Sequence, residues 1–346
     1  MSSFARFIRW KDWGPGKTTI LSGLCFYLAA AYQLPFVDFA ARFVFFLLFA
    51  SAQSALGFVL NDRGDRELDH RQGKANPFNA LPAHTLRFYV GLVLALAAAS
   101  GLPFVMRAWF LPLWLVWAFA AAAYSLPPLR FKTRGVPGLA FSFIAQWSLP
   151  VLLAFAAFGR AGHADMWLWT LALTASGATL EIAHQRYDRQ RDAATRAGTF
   201  AVRTPPERLD RLYALAVLFD KLAVGLIAAL AVASLVRMSS WWAWGMAAGL
   251  AALYLGLLAL SLPGAWRALR GGAIQDPYYG SGPSFARLLH ETLPNFGLPV
   301  ALLFAIALKV PAYFVLLSFF AFWRLALGGA RFGNLLKVFK RNPQEA

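Results

Sequence analysis

A succession of apolar blocks, each near the length of a membrane-crossing helix, constrains the fold of this chain most strongly. A helix needs about 20 apolar residues to cross a bilayer. The blocks lie at residues 18–34, 37–60, 85–104, 109–126, 137–158, 165–184, 212–235, 241–262, 294–308 and 311–328. We therefore predict an all-α polytopic membrane bundle of nine to ten transmembrane helices, forming a single domain over residues 1–346. The count depends on whether the last two blocks, interrupted at Pro311, form one bent span.

The charge distribution supports a membrane protein and gives its orientation. Charged residues make up only 14% of the chain, and the net charge is +17, whereas soluble domains carry about 25% charged residues. Lys and Arg concentrate in alternate connections, and the opposite side carries only Arg42, Arg107, Arg160, Arg237 and Lys309. By the positive-inside rule, the loops 61–84, 185–210 and 263–293 face the cytosol of what we expect to be a bacterial inner membrane. Topology thus explains the basic excess, and we predict no nucleic-acid partner.

A first acidic cluster follows the second block in the stretch N-D-R-G-D-R-E-L-D-H-R-Q-G-K. At 100° per residue, Asn61, Asp65 and Asp69 fall within about 80° of arc on a helix, and Asp62 lies just beyond this sector. Clustered carboxylates repel one another unless a cation neutralises them. Mg²⁺ prefers such oxygen ligands and often shares its shell with phosphates. The pattern favours a metal site, although the interleaved arginines also permit a solvated, salt-bridged loop.

A second acidic cluster follows the sixth block. Glu181, His184, Asp188 and Asp192 form one helical stripe. Asp188 and Asp192 match the pair Asp65 and Asp69 in spacing. Glu181 and His184 lie deeper in the block, where ionisable groups are usually functional. For His184, a hydrogen-bonded packing role and contact with a substrate remain equally open.

A basic turn lies between the two acidic clusters, in Y-S-L-P-P-L-R-F-K-T-R-G. Pro127 and Pro128 end the fourth block, so Arg130, Lys132 and Arg134 fall on the same side of the membrane as the acids. Positive-inside charge alone explains Arg134. A diphosphate beside metal ions would also require a positive clamp from Lys132 or Arg130.

These three motifs, in this order over residues 18–330, resemble those of the UbiA superfamily of intramembrane prenyltransferases. The resemblance implies an all-helical membrane enzyme that binds a polyprenyl diphosphate through Mg²⁺. The implied metal ligands are Asn61, Asp62, Asp65, Asp69, Asp188 and Asp192. The catalytic set is Asp65, Asp69, Asp188, Asp192 and Lys132. The residues assigned to substrate binding are Asn61, Arg66, Lys74, Arg130, Tyr124 and His184.

The first motif departs from the pattern of many relatives. They continue into an Arg-Pro dipeptide, whereas this chain has Asn76-Pro77, with Lys74 as an alternative source of charge. The resemblance assigns no role to the loop 275–293.

The resemblance implies ionisation of the diphosphate and capture of an allylic cation by a hydrophobic or aromatic acceptor, within membrane lipid and without an evident obligate protein partner. Two alternatives remain: phosphoribosyl transfer to a polyprenyl phosphate, and a ten-helix membrane carrier. Asp220 and Lys221, adjacent in the seventh block, either pair with each other or orient an acceptor.

Overall fold

The computed structural model describes residues 2–71, 73–195, 197–279 and 284–324. The end of the predicted block 311–328 and the basic residues after it lie outside the described residues. The α-helices are α1 Ser3–Phe7, α2 Trp10–Tyr32, α3 Phe36–Arg71, α4 Pro77–Ala80, α5 Ala83–Gly101, α6 Phe110–Ser125, α7 Val136–Phe143, α8 Leu149–Ala157, α9 Ala164–Ala194, α10 Phe200–Arg203, α11 Pro206–Val236, α12 Trp241–Leu269, α13 Phe285–Arg287, α14 Leu298–Lys309 and α15 Phe314–Phe322.

Two compact units make up the chain, and four of their five boundaries fall inside helices. The first comprises Met1–Leu21, Ala40–Thr170 and Asp188–Arg203, and the second comprises the remaining segments. In the first unit, apolar side chains of the N-terminal helices, α3, α4 and α5 form one buried cluster: Phe7, Ile8, Trp13, Ala55, Val59, Phe78 and Val93. Toward the other end of α3, the Phe49 ring lies 5.0 Å from that of Phe110 and 5.1 Å from that of Trp114. Packing within this unit therefore fixes α3 from Phe49 to Val59.

One span of the first unit contains a π-helical turn. Helices α7 and α8 form a single apolar span, Val136–Ala157, joined by the π-turn Ile144–Ser148. Pro150 lies two residues after this turn and lacks the N–H that would bond to the carbonyl of Gln146. The wider π-turn accommodates this missing hydrogen bond without breaking the helix.

The second unit is built around the long antiparallel helices α11 and α12. Gly225 allows close packing here, because a β-carbon at this position would collide with the Tyr254 hydroxyl. That hydroxyl donates to the Lys221 carbonyl at 3.1 Å. Ala183, Tyr213 and Val217 form a buried apolar cluster in the same unit.

Six helical segments of the described chain are long and apolar enough to cross a membrane. They are Phe36–Arg71, Ala83–Phe104, Val136–Ala157, Pro206–Val236, Trp241–Leu269 and Phe285–Lys309. Phe110–Ser125 and Pro311–Phe322 are shorter apolar helices. The described residues are thus helical, with six apolar helices of membrane-crossing length, whereas the predicted count of nine to ten spans stays a prediction.

Candidate active site

The first acidic motif continues the helix that precedes it, as predicted. Helix α3 runs without interruption from Phe36 to Arg71, so Asn61 and Asp65 lie one helical turn apart on one face. Asp65 accepts hydrogen bonds at 2.9 Å from Arg130 Nη2 and at 2.6 Å from Lys132 Nζ. Lys132 Nζ also donates to Asn61 Oδ1 at 2.8 Å. The basic turn therefore contacts the first acidic motif directly.

A glycine within the acidic motif makes this contact possible. Gly64 lies against the last turn of α6, where a β-carbon would collide with the Ser125 carbonyl oxygen. Just beyond, the turn reverses the chain, with Arg130 in a left-handed conformation at φ 35°. Close approach at Gly64 thus sets the distance from which Arg130 and Lys132 reach Asp65.

Lys132 is largely buried, and its charge depends on its neighbours. Its side chain is 13% exposed, against 18% for Asp65. Burial lowers the pKa of Lys132, and the Asp65 carboxylate acts in the opposite direction. Because burial disfavours a lone ammonium, Lys132 needs an anionic partner at this position.

Asp62 occupies a different environment from Asp65. It is 4% exposed; its Oδ1 accepts from Arg9 Nη1 at 3.2 Å, while Oδ2 is buried without a hydrogen-bond partner. The guanidinium of Arg9 lies 5.5 Å from the centre of the Phe58 ring, and Lys17 Nζ lies 5.6 Å from it. Both belong to the basic excess that the positive-inside rule explains from the sequence.

Asn76, which departs from the family pattern, holds the segment after α3 in place. Its Nδ2 donates at 2.8 Å to Asp69 Oδ2 and at 2.8 Å to the Asp62 carbonyl. Its Oδ1 accepts from the Phe78 N–H at 2.9 Å and so caps α4. An arginine could not accept the capping bond. Lys74, the proposed alternative source of charge, is exposed, and its N–H donates to the Asp69 carbonyl.

The second acidic motif lies at the end of α9, in the same unit as the first. Asp192 Oδ2 accepts from Thr199 Oγ1 at 3.2 Å, and Asp188 Oδ1 accepts from Arg191 Nη1 at 3.1 Å. The loop that carries Thr199 is bonded to the end of the basic turn, because Gly135 N donates to the Gly198 carbonyl at 3.0 Å. The basic turn is thus linked to both acidic motifs, by side chains to Asp65 and by the backbone to the loop after Asp192.

The remaining residues predicted to bind substrate are Arg66, Tyr124 and His184. Arg66 is exposed and bonds to Asn79. Tyr124 is half-buried in the last turn of α6. His184 is exposed and belongs to the second unit, where its Nδ1 lies 3.0 Å from the Tyr279 hydroxyl.

The side-chain oxygens of the first acidic motif suit a hard divalent cation. In this structure, however, those of Asn61 and Asp65 are bonded to basic side chains. In the described part of the chain, no group of three or more His, Cys, Asp or Glu side chains lies close enough together to hold a metal ion. However, oxygens of Asn61 and Asp65 already converge on one cationic nitrogen, Lys132 Nζ. The unpartnered Oδ2 of Asp62 adds a buried oxygen. Oxygen ligands of this kind are those that Mg²⁺ prefers.

Comparison with known proteins identifies one family over most of the chain. The model of the UbiA prenyltransferase family matches residues 18–272. No curated protein shows a significant sequence match to this chain.

Three solved structures share the fold at low sequence identity. A UbiA homologue from Archaeoglobus fulgidus bound to DMAPP and Mg²⁺ is 17% identical, with a TM-score of 0.56, over 88% of this chain and 99% of its own. A digeranylgeranylglyceryl phosphate synthase is 15% identical, with a TM-score of 0.52, over 88% of this chain and 97% of its own. A UbiA homologue from Aeropyrum pernix K1 is 17% identical, with a TM-score of 0.50, over 84% of this chain and 97% of its own.

Proposed function

Because the chain belongs to the UbiA prenyltransferase family, we propose that it transfers a prenyl group from a polyprenyl diphosphate to a hydrophobic or aromatic acceptor, with Mg²⁺ as cofactor. Membership confirms the expected enzyme class. The polyprenyl diphosphate donor, the class of acceptor, the Mg²⁺ cofactor and the roles of the site residues are proposed in addition.

One observation carries the assignment of the site. The basic turn is bonded to Asp65 through Lys132 and Arg130, and to the loop after Asp192 through the Gly135–Gly198 backbone hydrogen bond. A solvated, salt-bridged surface would not require a largely buried lysine that bonds to an acidic motif of another helix. An enzyme that binds a diphosphate through metal ions does require acids and a cation in one place.

The residues that would hold Mg²⁺ are those of the two acidic motifs: Asn61, Asp62, Asp65, Asp69, Asp188 and Asp192. Bound Mg²⁺ would neutralise the negative charge that develops on the diphosphate as the carbon–oxygen bond breaks. The homologue of the same fold from Archaeoglobus fulgidus, bound to DMAPP and Mg²⁺, supports this choice of cation.

Lys132 and Arg130 would exchange partners when the substrate binds. Both cations contact Asp65 in this structure. Once Asp65 ligates a metal, the diphosphate oxygens become their anionic partners. The two side chains would then stabilise the leaving diphosphate, while the allylic cation is captured by the acceptor.

Purified protein in detergent, incubated with labelled polyprenyl diphosphates and a panel of acceptors, tests the proposal by mass spectrometry of the products. We expect product only with Mg²⁺, and loss of product on addition of EDTA. Transfer that continues at an unchanged rate in EDTA would refute the role of the metal.

We further propose that nine to ten helices cross the membrane, with the acidic motifs on the cytoplasmic side of a bacterial inner membrane. The six apolar helices and the family indicate an integral membrane protein.

Labelling of introduced cysteines tests this orientation. Cys25 is the only native cysteine and is buried, so a single introduced cysteine reports its side of the membrane without background labelling. In spheroplasts, an impermeant maleimide should label Met106→Cys, which is 94% exposed, and spare Lys74→Cys. The reverse pattern would overturn the orientation.

A further inference from the structure

A buried polar cluster in the second unit lies outside the site described above. Asp220 and Lys221 are adjacent in α11 and are 0% and 1% exposed. Both lie inside a helix of membrane length. Ionisable groups are costly at such a position and usually have a function.

Asp220 has its full complement of partners without Lys221. Ser176 Oγ donates to Oδ1, and the Tyr278 hydroxyl donates to Oδ2. His290 Nδ1 lies 2.7 Å from Oδ2. The interpretation that Asp220 pairs directly with Lys221 is therefore not what the structure shows.

Lys221, in contrast, contacts only groups without negative charge. Its Nζ lies 3.0 Å from Ser261 Oγ and 3.2 Å from His290 Nε2. Because Nδ1 of His290 faces the Asp220 carboxylate, the ring proton belongs on Nδ1, and Nε2 accepts from Lys221. In the described part of the chain, no carboxylate lies within salt-bridge distance of this ammonium; the Asp220 carboxylate contacts the other nitrogen of the same imidazole ring.

The ammonium also borders a cavity. Lys221 and Ser261 line it together with small side chains: Ala214, Gly264, Ala265, Ala268 and Ala286. The exposed side chain of Gln275 also lines it. The cavity is narrow, with room for about one group of the size of a water molecule. An ammonium has three N–H donors, and the two bonds above leave one of them for an occupant.

We propose that this cavity binds a halide ion through the remaining N–H of Lys221 Nζ. The Ser261 hydroxyl, which accepts from Lys221, already donates to the Leu258 carbonyl at 3.0 Å. A single ammonium matches one negative charge, and the apolar walls, which include Val217 and Ile274 besides the alanines, exclude a hydrated or multiply charged group such as phosphate. Burial strengthens the attraction, because charges interact more strongly at low effective dielectric constant than in water.

Thermal unfolding of the full chain in detergent tests this proposal. The protein is titrated with sodium chloride or sodium acetate at constant ionic strength, balanced with sodium gluconate, whose polyol chain is too bulky for the cavity. A ligand that binds only the folded state raises the melting temperature in a saturable way, by about 3 °C at a tenfold excess over Kd. The saturable rise should disappear in Lys221→Met. It should persist in the control Lys309→Met, which changes the same residue type at an exposed helix end bonded to Gln33.

A saturable rise with chloride but not with acetate is expected, and an equal rise with acetate would contradict a site of this size. An unchanged rise in Lys221→Met, or no saturable rise in the unaltered protein, would overturn the proposal. If Lys221→Met does not fold, crystals of the unaltered protein soaked in bromide decide the question. An anomalous peak beside Lys221 Nζ is then expected, and its absence at full bromide exchange refutes the site. Because none of these readouts involves prenyl transfer, the outcome is independent of the proposed function.

Discussion

Replacing Lys132 with methionine removes the positive charge that bridges Asp65 and Asn61. Methionine preserves most of the apolar volume, and Asp65 keeps its bond to Arg130 at 2.9 Å. Loss of the ammonium also removes a desolvation cost, so we expect the free energy of unfolding to fall by only about 1 kcal/mol. The effect on catalysis should be larger, because the lost charge would face the departing diphosphate. Removal of one preorganised donor to developing negative charge costs about 2.7–4 kcal/mol, which is about 10²–10³-fold in rate.

Initial rates of prenyl transfer in purified protein measure this effect. Arg134→Met is the matched control, because Arg134 lies two residues away on the same turn but is exposed and bonds to the Pro128 carbonyl. We expect kcat/KM to fall about 10²–10³-fold in Lys132→Met and to change less than about threefold in Arg134→Met. Equal losses in both variants, or nearly full activity in Lys132→Met, would refute the role of Lys132 and leave only its contribution to topology.

Three further outcomes follow from the geometry of the site. Asn76→Ala should destabilise the protein by about 2–4 kcal/mol, because it removes a helix cap and a hydrogen bond to the Asp69 carboxylate; an unchanged melting temperature in detergent would contradict this. Gly64→Ala should reduce transfer activity more than Gly57→Ala, since a β-carbon at Gly64 meets the Ser125 carbonyl and one at Gly57 meets open space; equal activities would count against close packing there. Burial lowers the pKa of Lys132, so kcat/KM should decline as the pH rises toward that pKa and the ammonium loses its proton. Lys132→Arg should move this decline to higher pH. Identical pH profiles for the two proteins would argue against titration of Lys132.

The parts of the site that follow from local sequence were predictable. The helical spacing of Asn61, Asp65 and Asp69 places them on one face, and α3 does continue through this motif. The prolines end α6, and the cations after them do lie beside acids of the first motif. These features depend on helix periodicity and on proline stereochemistry, both of which act over a few residues.

The contacts that complete the site depend on distant parts of the chain and were missed. Arg9 reaches Asp62 across the length of α2 and much of α3, and nothing in its neighbourhood distinguishes it from the other basic residues at the N-terminus. Asn76 was interpreted as a loss of charge, whereas it supplies an acceptor that arginine lacks. Gly64 offered a usable signal, since a glycine inside a charged helical motif indicates close approach by another segment.

The number of membrane spans shows a different limit of sequence reasoning. Apolar blocks predicted helices throughout, yet only six helical segments of the described chain have both the length and the composition of a span. Phe110–Ser125 is shorter than a bilayer requires, and α9 combines an apolar first half with the charged second motif. Span counts from blocks alone therefore depend on how far polar helix ends extend out of the membrane.

Transfer rates of acidic-motif variants, with Mg²⁺ binding measured in parallel, test the central claim most directly. In Asp65→Asn and Asp188→Asn, one ligand charge is lost from each motif with little change in shape, while Glu67→Gln removes an exposed acid that bonds to Arg71. We predict that each of the first two abolishes detectable prenyl transfer and weakens Mg²⁺ binding in protein that remains folded, and that Glu67→Gln retains both. Full transfer activity in Asp65→Asn and Asp188→Asn would contradict the account.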